Sequence, residues 1–205
     1  KRHIKNLADW TKDGTFVYGG RRGDSLPKFI NQECGMWMNS SAYYGSIKKQ
    51  AKFEFGQSML PYYGDVVKKP QNSIIGGATL WVLKGRDKGD YKGVAQFMKF
   101  MSSPEVQAWW HQGTGYVPIT NAAYELSKKQ GFYDSNPGTD TAIKQLSLNT
   151  PTAASRGIRF GNFVQVRDVI NEEMEAIWSG DKTPEAGIEE AVKRGNALLR
   201  KFEKA

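Results

Sequence analysis

Residues 71–126 read QNSIIGGATLWVLKGRDKGDYKGVAQFMKFMSSPEVQAWWHQGTGYVPITNAAYEL, and this run sets the fold class. Its first part, SIIGGATLWVLKG, is predicted to be a strand carrying the glycine pair Gly76 and Gly77. Glycines inside a strand mark a bulge, or a place where a ligand or another backbone comes close. Two helices follow, over 90–101 and 103–112. Ser103, Pro104 and Glu105 form a strong start for the second, because proline fits the first helical position. Thr120 then begins a helix reaching about Lys129. The pattern is mixed α and β.

Outward from this run the mixture continues. Upstream, Ile4, Leu7 and Trp10 sit at helical spacing and Gly14 is placed as a stop. Lys1 is therefore read as the start of a fragment, with any targeting signal lying upstream. Segments 15–20 (TFVYGG), 35–39 (GMWMN) and 52–60 (KFEFGQSML) are predicted strands. Helices are predicted over 24–33 and 42–51, the second capped by Ser40 or Ser41. Downstream, GTDTAIKQLSL is a short helix and 150–161 a loop. Residues 163–179 place Val166, Val169, Ile170, Met174 and Ile177 on one helical face, ended by Gly180. Thr183 caps a last helix to about Phe202, with Pro184 at its first position and Ile188, Ala191, Val192, Leu198, Leu199 and Phe202 inward.

Composition narrows the function. The 205 residues, 39% hydrophobic and 12% aromatic, can bury a core, and no apolar stretch approaches the roughly 20 residues that span a bilayer. The net charge of +8 is spread as pairs such as Lys48 and Lys49 or Lys68 and Lys69, without the stripe that nucleic-acid binding needs. No nucleic-acid partner is expected. Two histidines and the single Cys34 make neither a zinc set nor a nucleophile with its base, so no metal, no cofactor and no catalytic residue is expected. Cys34 is open to two readings, a free thiol or a partner for a cysteine outside this chain. GxxxxGK[ST], GxGxxG and GxSxG are all absent. Arg22-Gly23-Asp24 and Asn39-Ser40-Ser41 match short motifs that arise by chance. Glu172, Glu173 and Glu175 read as a solvated helix surface.

What remains is a set of polar or glycine-rich steps leading into helices: Ser40 and Ser41, Gly76 and Gly77, Gly115-Tyr116, and Gly161-Asn162 ahead of Arg167. Helix starts present unpaired N–H groups and partial positive charge, and arginine offers a planar fork, which together suit an anion such as phosphate. Ordinary caps and turns account for the same residues, and helix caps are far commoner than ligand sites.

The long run quoted above resembles the periplasmic glycerol-3-phosphate-binding group within the extracellular solute-binding family of ABC importers. Further matches are FVYGGRRGDS, QGFYDSNPGTDTAIKQL, RGIRFGNFVQVRDVINEE, the W-x-G-x-x-T-P step at Trp178–Pro184 and AVKRGNALLRKFEK. GTGYVPIT marks only the broad family, while GNFVQVR and RGNALLRKFEK point to the glycerol phosphate group. The resemblance covers essentially the whole chain and is to roughly the second half of such a protein. It implies an α/β, periplasmic-binding-protein type II-like fold with two lobes closing over a solute. Residues 1–73 and 126–205 then belong to the second lobe, the latter as its helical carboxy-terminal part, and 74–125 cross to the first. It also implies a periplasmic location, permease subunits as partners and a small phosphorylated solute, glycerol-3-phosphate or a glycerophosphodiester such as glycerophosphocholine, with a sugar as the alternative. Residue by residue, Ser40 resembles a serine that contacts the ligand through its hydroxyl. Gly77 resembles a glycine whose backbone approaches it, Tyr116 a tyrosine that donates its hydroxyl, and Arg167 the phosphate's arginine. The chain departs from the pattern at Ala42, Tyr43 and Tyr44, where bulkier residues follow the serines and bear on pocket size. Without the first lobe, apolar surface and a strand edge are expected to lie exposed, with aggregation or domain swapping as the consequence.

Overall fold

Local signals fix most of the helices in the computed structural model, which describes residues 1–153 and 155–204. In chain order they are α1 (Arg2–Asp13), α2 (Leu26–Ile30), α3 (Tyr44–Gln50), α4 (Lys88–Met101), α5 (Pro104–Thr114), α6 (Asn121–Lys129), α7 (Phe132–Ser135), α8 (Thr141–Leu146), α9 (Phe163–Trp178) and α10 (Pro184–Glu203), with a single 3₁₀ turn at Ser41–Tyr43 ahead of α3. Side-chain caps start four of the longer ones. Asp87 accepts from the Asp90 N–H, Ser103 from Val106, Thr120 from Ala123 and Thr183 from Ala186. Gly14, at φ +80°, ends α1, and Gly115, at φ +83°, ends α5. Ala154, in the expected 150–161 loop, and Ala205 lie outside the described residues.

The chain divides into two compact units, Lys1–Phe29 with Ile158–Ala205, and Ile30–Gly157. In the first, α9 and α10 pack along their length and α1 lies against both. The seam is closer than the apolar pattern predicts, because glycines occupy it. Gly187 and Gly195 are the buried positions of α10, and a Cβ on Gly187 would stand 2.5 Å from Ile177 Cδ1. Val192, expected inward, faces outward, as does Ile170 on α9. Phe16 meets Trp178 edge to face, with ring centroids 5.6 Å apart.

Of the three glutamates of α9, Glu172 is exposed as expected, while Glu173 and Glu175 overturn their expected role. Glu173 is 3% exposed and accepts from Lys182 and Arg194, which also reaches Glu172. Glu175 takes a two-pronged bond from Arg21, at 2.7 and 2.6 Å, and a third from the Tyr18 hydroxyl at 2.7 Å. The basic groups that satisfy them sit at distant sequence positions, which a reading of the α9 face alone does not reveal.

In the second unit, α5 is the hub. It packs on α6, α3 and α4, and α6 packs on α7. Ala108, Ala123 and Ser127 are almost wholly enclosed there. Among the described residues no strand forms. The segments expected as strands (15–20, 35–39, 52–60 and 73–85) run without ladder pairing. A strand requires a neighbouring row of N–H and C=O groups. Here the backbone finds other partners: Leu60 N–H donates to the Gln145 side chain at 3.1 Å and Ser73 N–H to the Gln145 carbonyl at 3.3 Å. Asn72 and Asn149 bond through side chain and backbone at 2.8 Å in both directions. The helical half of the expected α/β pattern is present and the sheet half is not.

A large apolar surface lies open in this unit. Ile74, Ile75, Leu80, Val82, Leu83 and Trp81, the last 85% exposed, line the segment expected as a strand, and α4 buries none of its residues. Phe100, Met101, Val106, Trp109 and Trp110 line a groove of about 350 Å³ between α4 and α5. No helix among the described residues is long and apolar enough to cross a membrane. Cys34 is half-buried and unpaired within the chain.

Candidate functional site

Three of the four residues singled out for ligand contact fall in the second unit, and backbone packing gathers them. Ser40, exposed and in extended conformation, precedes the 3₁₀ turn and accepts from the Ala42 N–H at 3.3 Å. Its hydroxyl proton has no hydrogen-bond acceptor among the described residues. Two glycines bring this turn against the end of α5. A Cβ on Gly45 would lie 2.9 Å from the Gly113 carbonyl oxygen, and one on Gly115 would lie 2.5 Å from the Ser41 carbonyl oxygen and 2.8 Å from Tyr44 Cβ. Only residues without side chains allow that approach.

Tyr116 follows immediately and is 46% exposed. A Cβ on Gly77, whose φ is +123°, would stand 4.0 Å from Tyr116 Cε1. The Ser40 turn and Gly77 thus each approach the Gly115-Tyr116 step. The aromatics beside Ser40 are engaged within the unit: Tyr43 meets Trp37 edge to face, and Tyr44 donates its hydroxyl to Asn136 at 3.0 Å.

The loop carrying Tyr116 is held at both ends by α5. Gln107, buried, accepts from Ile119 N–H at 3.0 Å and from the Thr120 hydroxyl at 3.3 Å, while its amide donates to the Ser102 carbonyl at 2.7 Å. His111, 2% exposed, stands 2.7 Å through Nδ1 from the Tyr116 carbonyl oxygen. A carbonyl can only accept, so Nδ1 carries the proton. Nε2 is then the acceptor for the Tyr133 hydroxyl at 3.1 Å. Burial holds the imidazole below its ordinary pKa, and burial likewise pushes the Tyr133 phenol up to about 12. Neither Gln107 nor His111 stands out in the sequence as a site residue. The only signal available is their spacing of four, which puts both on one side of α5.

Arg167 belongs to the first unit, on the second turn of α9. It is exposed, its guanidinium lies 5.6 Å from the Phe163 ring centroid, and among the described residues it has no carboxylate partner. The start of α9 is unusual among the long helices. Asn162, in left-handed conformation at φ 52°, places its side-chain amide on the Leu198 carbonyl at 2.8 Å and caps nothing. Among the described residues the first N–H groups of α9 therefore have no side-chain cap, and the end of the helix keeps its partial positive charge. Among the described residues no three His, Cys, Asp or Glu side chains gather in a way that could hold a metal ion.

The family model for bacterial extracellular solute-binding proteins matches residues 1–141. The chain is 51% identical, over 204 residues, to the sn-glycerol-3-phosphate-binding periplasmic protein UgpB of Yersinia pseudotuberculosis, covering 100% of this chain and 46% of that protein. Proteins of the same name from Pectobacterium atrosepticum and Salmonella typhimurium are 50% and 49% identical over the whole chain, with 46% and 47% of their own lengths covered. The chain spans about half the length of these curated relatives.

Proposed function

The chain belongs to the bacterial extracellular solute-binding proteins, and from that membership we propose that it is the carboxy-terminal part of a periplasmic component that captures a glycerol phosphoester for an ABC importer. The ligand class is glycerol-3-phosphate or a glycerophosphodiester such as glycerophosphocholine. Arg167 binds the phosphate, aided by the open start of α9. Ser40 and Tyr116 donate hydroxyls, and the Gly77 backbone lets the ligand approach closely. No bond is made or broken: the loaded protein docks on permease subunits in the membrane.

The observation that carries this reading is the state of Arg167, a planar cation without a carboxylate partner among the described residues, on a helix whose cap residue is turned elsewhere. Such an arrangement favours a bidentate anion over a neutral sugar. The relatives' names, as sn-glycerol-3-phosphate-binding proteins, support the same class.

The architecture follows the same reading. We take the whole protein to be a two-lobed, α/β, type II-like binding protein, with residues 1–73 and 126–205 in its second lobe and 74–125 returning to the first. Supporting this is the apolar surface of 74–83 and α4, which no part of this chain covers among the described residues. Segments patterned as strands but unpaired here are expected to join sheets completed by the rest of the protein.

Calorimetric titration of the full-length protein with glycerol-3-phosphate, glycerophosphocholine and maltose tests the proposal. One or both phosphoesters bind, and Arg167→Ala weakens binding by about tenfold or more, as loss of a charge-assisted contact requires. Binding of maltose alone, or phosphoester binding indifferent to Arg167, sinks the ligand assignment. Alcohol released from a glycerophosphodiester during incubation sinks the non-catalytic reading.

A further inference from the structure

We infer that His111 is a positioning residue for ligand binding, which fixes the Gly115-Tyr116 step by donating from Nδ1 to the Tyr116 carbonyl while Tyr133 holds the other ring nitrogen. The inference rests on the reading of Tyr116 as a ligand contact, and its geometry lies wholly within the second unit.

A buried histidine needs both ring nitrogens satisfied. Here each has a single partner, and the two partners differ in kind. The Tyr116 carbonyl can only accept, which demands a proton on Nδ1. The Tyr133 hydroxyl then donates to the bare Nε2. Tyr133 is itself set in place: its ring packs on Tyr124 with centroids 5.3 Å apart and tilts against the imidazole at 5.7 Å. Phe132 closes another side of the imidazole edge to face at 5.6 Å. The ring is thus held in one orientation, with its Nδ1 donor aimed at the backbone of the residue whose side chain faces outward.

That contact matters because little else restrains Tyr116. Its own N–H donates to the Thr114 hydroxyl at 3.2 Å, and its side chain is half open. The preceding Gly115 has no Cβ to limit its torsions, so a second anchor is needed to define where the phenol points. His111 supplies it from the rigid body of α5. Its reach extends across α6 and α7, because the Tyr133 that orients it belongs to α7 and packs on Tyr124 of α6.

A double-mutant cycle in the full-length protein, read by titration with glycerol-3-phosphate, tests the inference. His111→Leu weakens binding roughly tenfold, the effect of losing one buried hydrogen bond. In a Tyr116→Phe background the same change has little further effect, since the group being positioned is already gone. An asparagine amide overlays Nδ1, so His111→Asn keeps the donor to Tyr116 and recovers most of the affinity, whereas His111→Gln, which overlays Nε2, does not. Additive losses in the cycle, or equal failure of the Asn and Gln variants, show that His111 only supports the core and overturn the inference. If Tyr116→Phe leaves affinity unchanged, the ligand role of Tyr116 fails instead. Positioning is then judged by fluorine NMR of fluorotyrosine at 116: a resonance broadened or shifted by His111→Leu but not by His111→Asn upholds it, and one indifferent to both refutes it.

Discussion

Gly115→Ala is the substitution whose consequence the structure specifies best. Two penalties fall on it. At φ +83° an alanine pays about 1–2 kcal/mol for left-handed backbone, part of which is returned by the lower freedom of the unfolded chain. The new Cβ would also lie 2.5 Å from the Ser41 carbonyl oxygen, 0.9 Å inside the 3.4 Å at which ordinary contact begins. That neighbour is backbone, and Tyr44 Cβ would lie 2.8 Å from the same added atom, so neither is the free end of a flexible side chain that could swing aside. Forced repacking of this kind costs about 1–3 kcal/mol. Gly14 provides the control at the end of α1: its φ is +80° and nothing lies within 4 Å of where its Cβ would be. Gly14→Ala therefore carries the torsional penalty alone. In urea unfolding of the full-length protein, Gly115→Ala should fall below Gly14→Ala by about 1–3 kcal/mol. It should also weaken ligand binding, because the relief available is to push the Ser40 turn away from Tyr116. Equal destabilisation by the two alanines refutes the close approach of the turn to the end of α5.

Two further outcomes follow from the first unit. Gly195→Ala stabilises by up to about 1 kcal/mol through helix propensity, since its Cβ meets only Val166 at 3.8 Å, whereas Gly187→Ala gives no gain because its Cβ collides with Ile177 at 2.5 Å; thermal unfolding of both variants checks the pair. Arg21 and then Tyr18 hold the Glu175 carboxyl at about 2, below its ordinary 4.5, so its contribution to stability is complete above pH 4.5 and declines as pH falls toward 2; acid unfolding should begin at higher pH in Arg21→Ala, and an unchanged acid limb would exclude the ion pair as a determinant.

Helices announced by short-range chemistry were legible in the sequence. Ser103-Pro104, Thr120 and Thr183-Pro184 each begin a helix as their cap chemistry requires, because the information lies within four residues. The four-residue α7 is too short to show a period, and the helix expected over 24–33 shrinks to Leu26–Ile30. Strand patterning in 73–85 states a tendency only, since pairing depends on a neighbour that the segment itself does not encode. The site divides along the same line. Ser40, Gly77, Tyr116 and Arg167 stood out only as turn, glycine and helix-start positions, and it is the family resemblance that proposes a ligand role for them. His111 and Gln107 were not, because their role consists of bonds to a loop folded back on their own helix. Glu173 and Glu175 misled for the complementary reason, their cations being donated from other elements.

Gln107 and His111 lie one helical turn apart and hold residues 116–120 at two separate points. A segment tethered in this way has surrendered most of its configurational freedom before any solute arrives. Capturing a small molecule then orders little that was disordered, and affinity depends mainly on the contacts themselves. The Tyr116 and Ile119 amides, whose N–H groups donate to Thr114 and Gln107, should accordingly exchange slowly with solvent in the unliganded protein, and saturation should change their rates little.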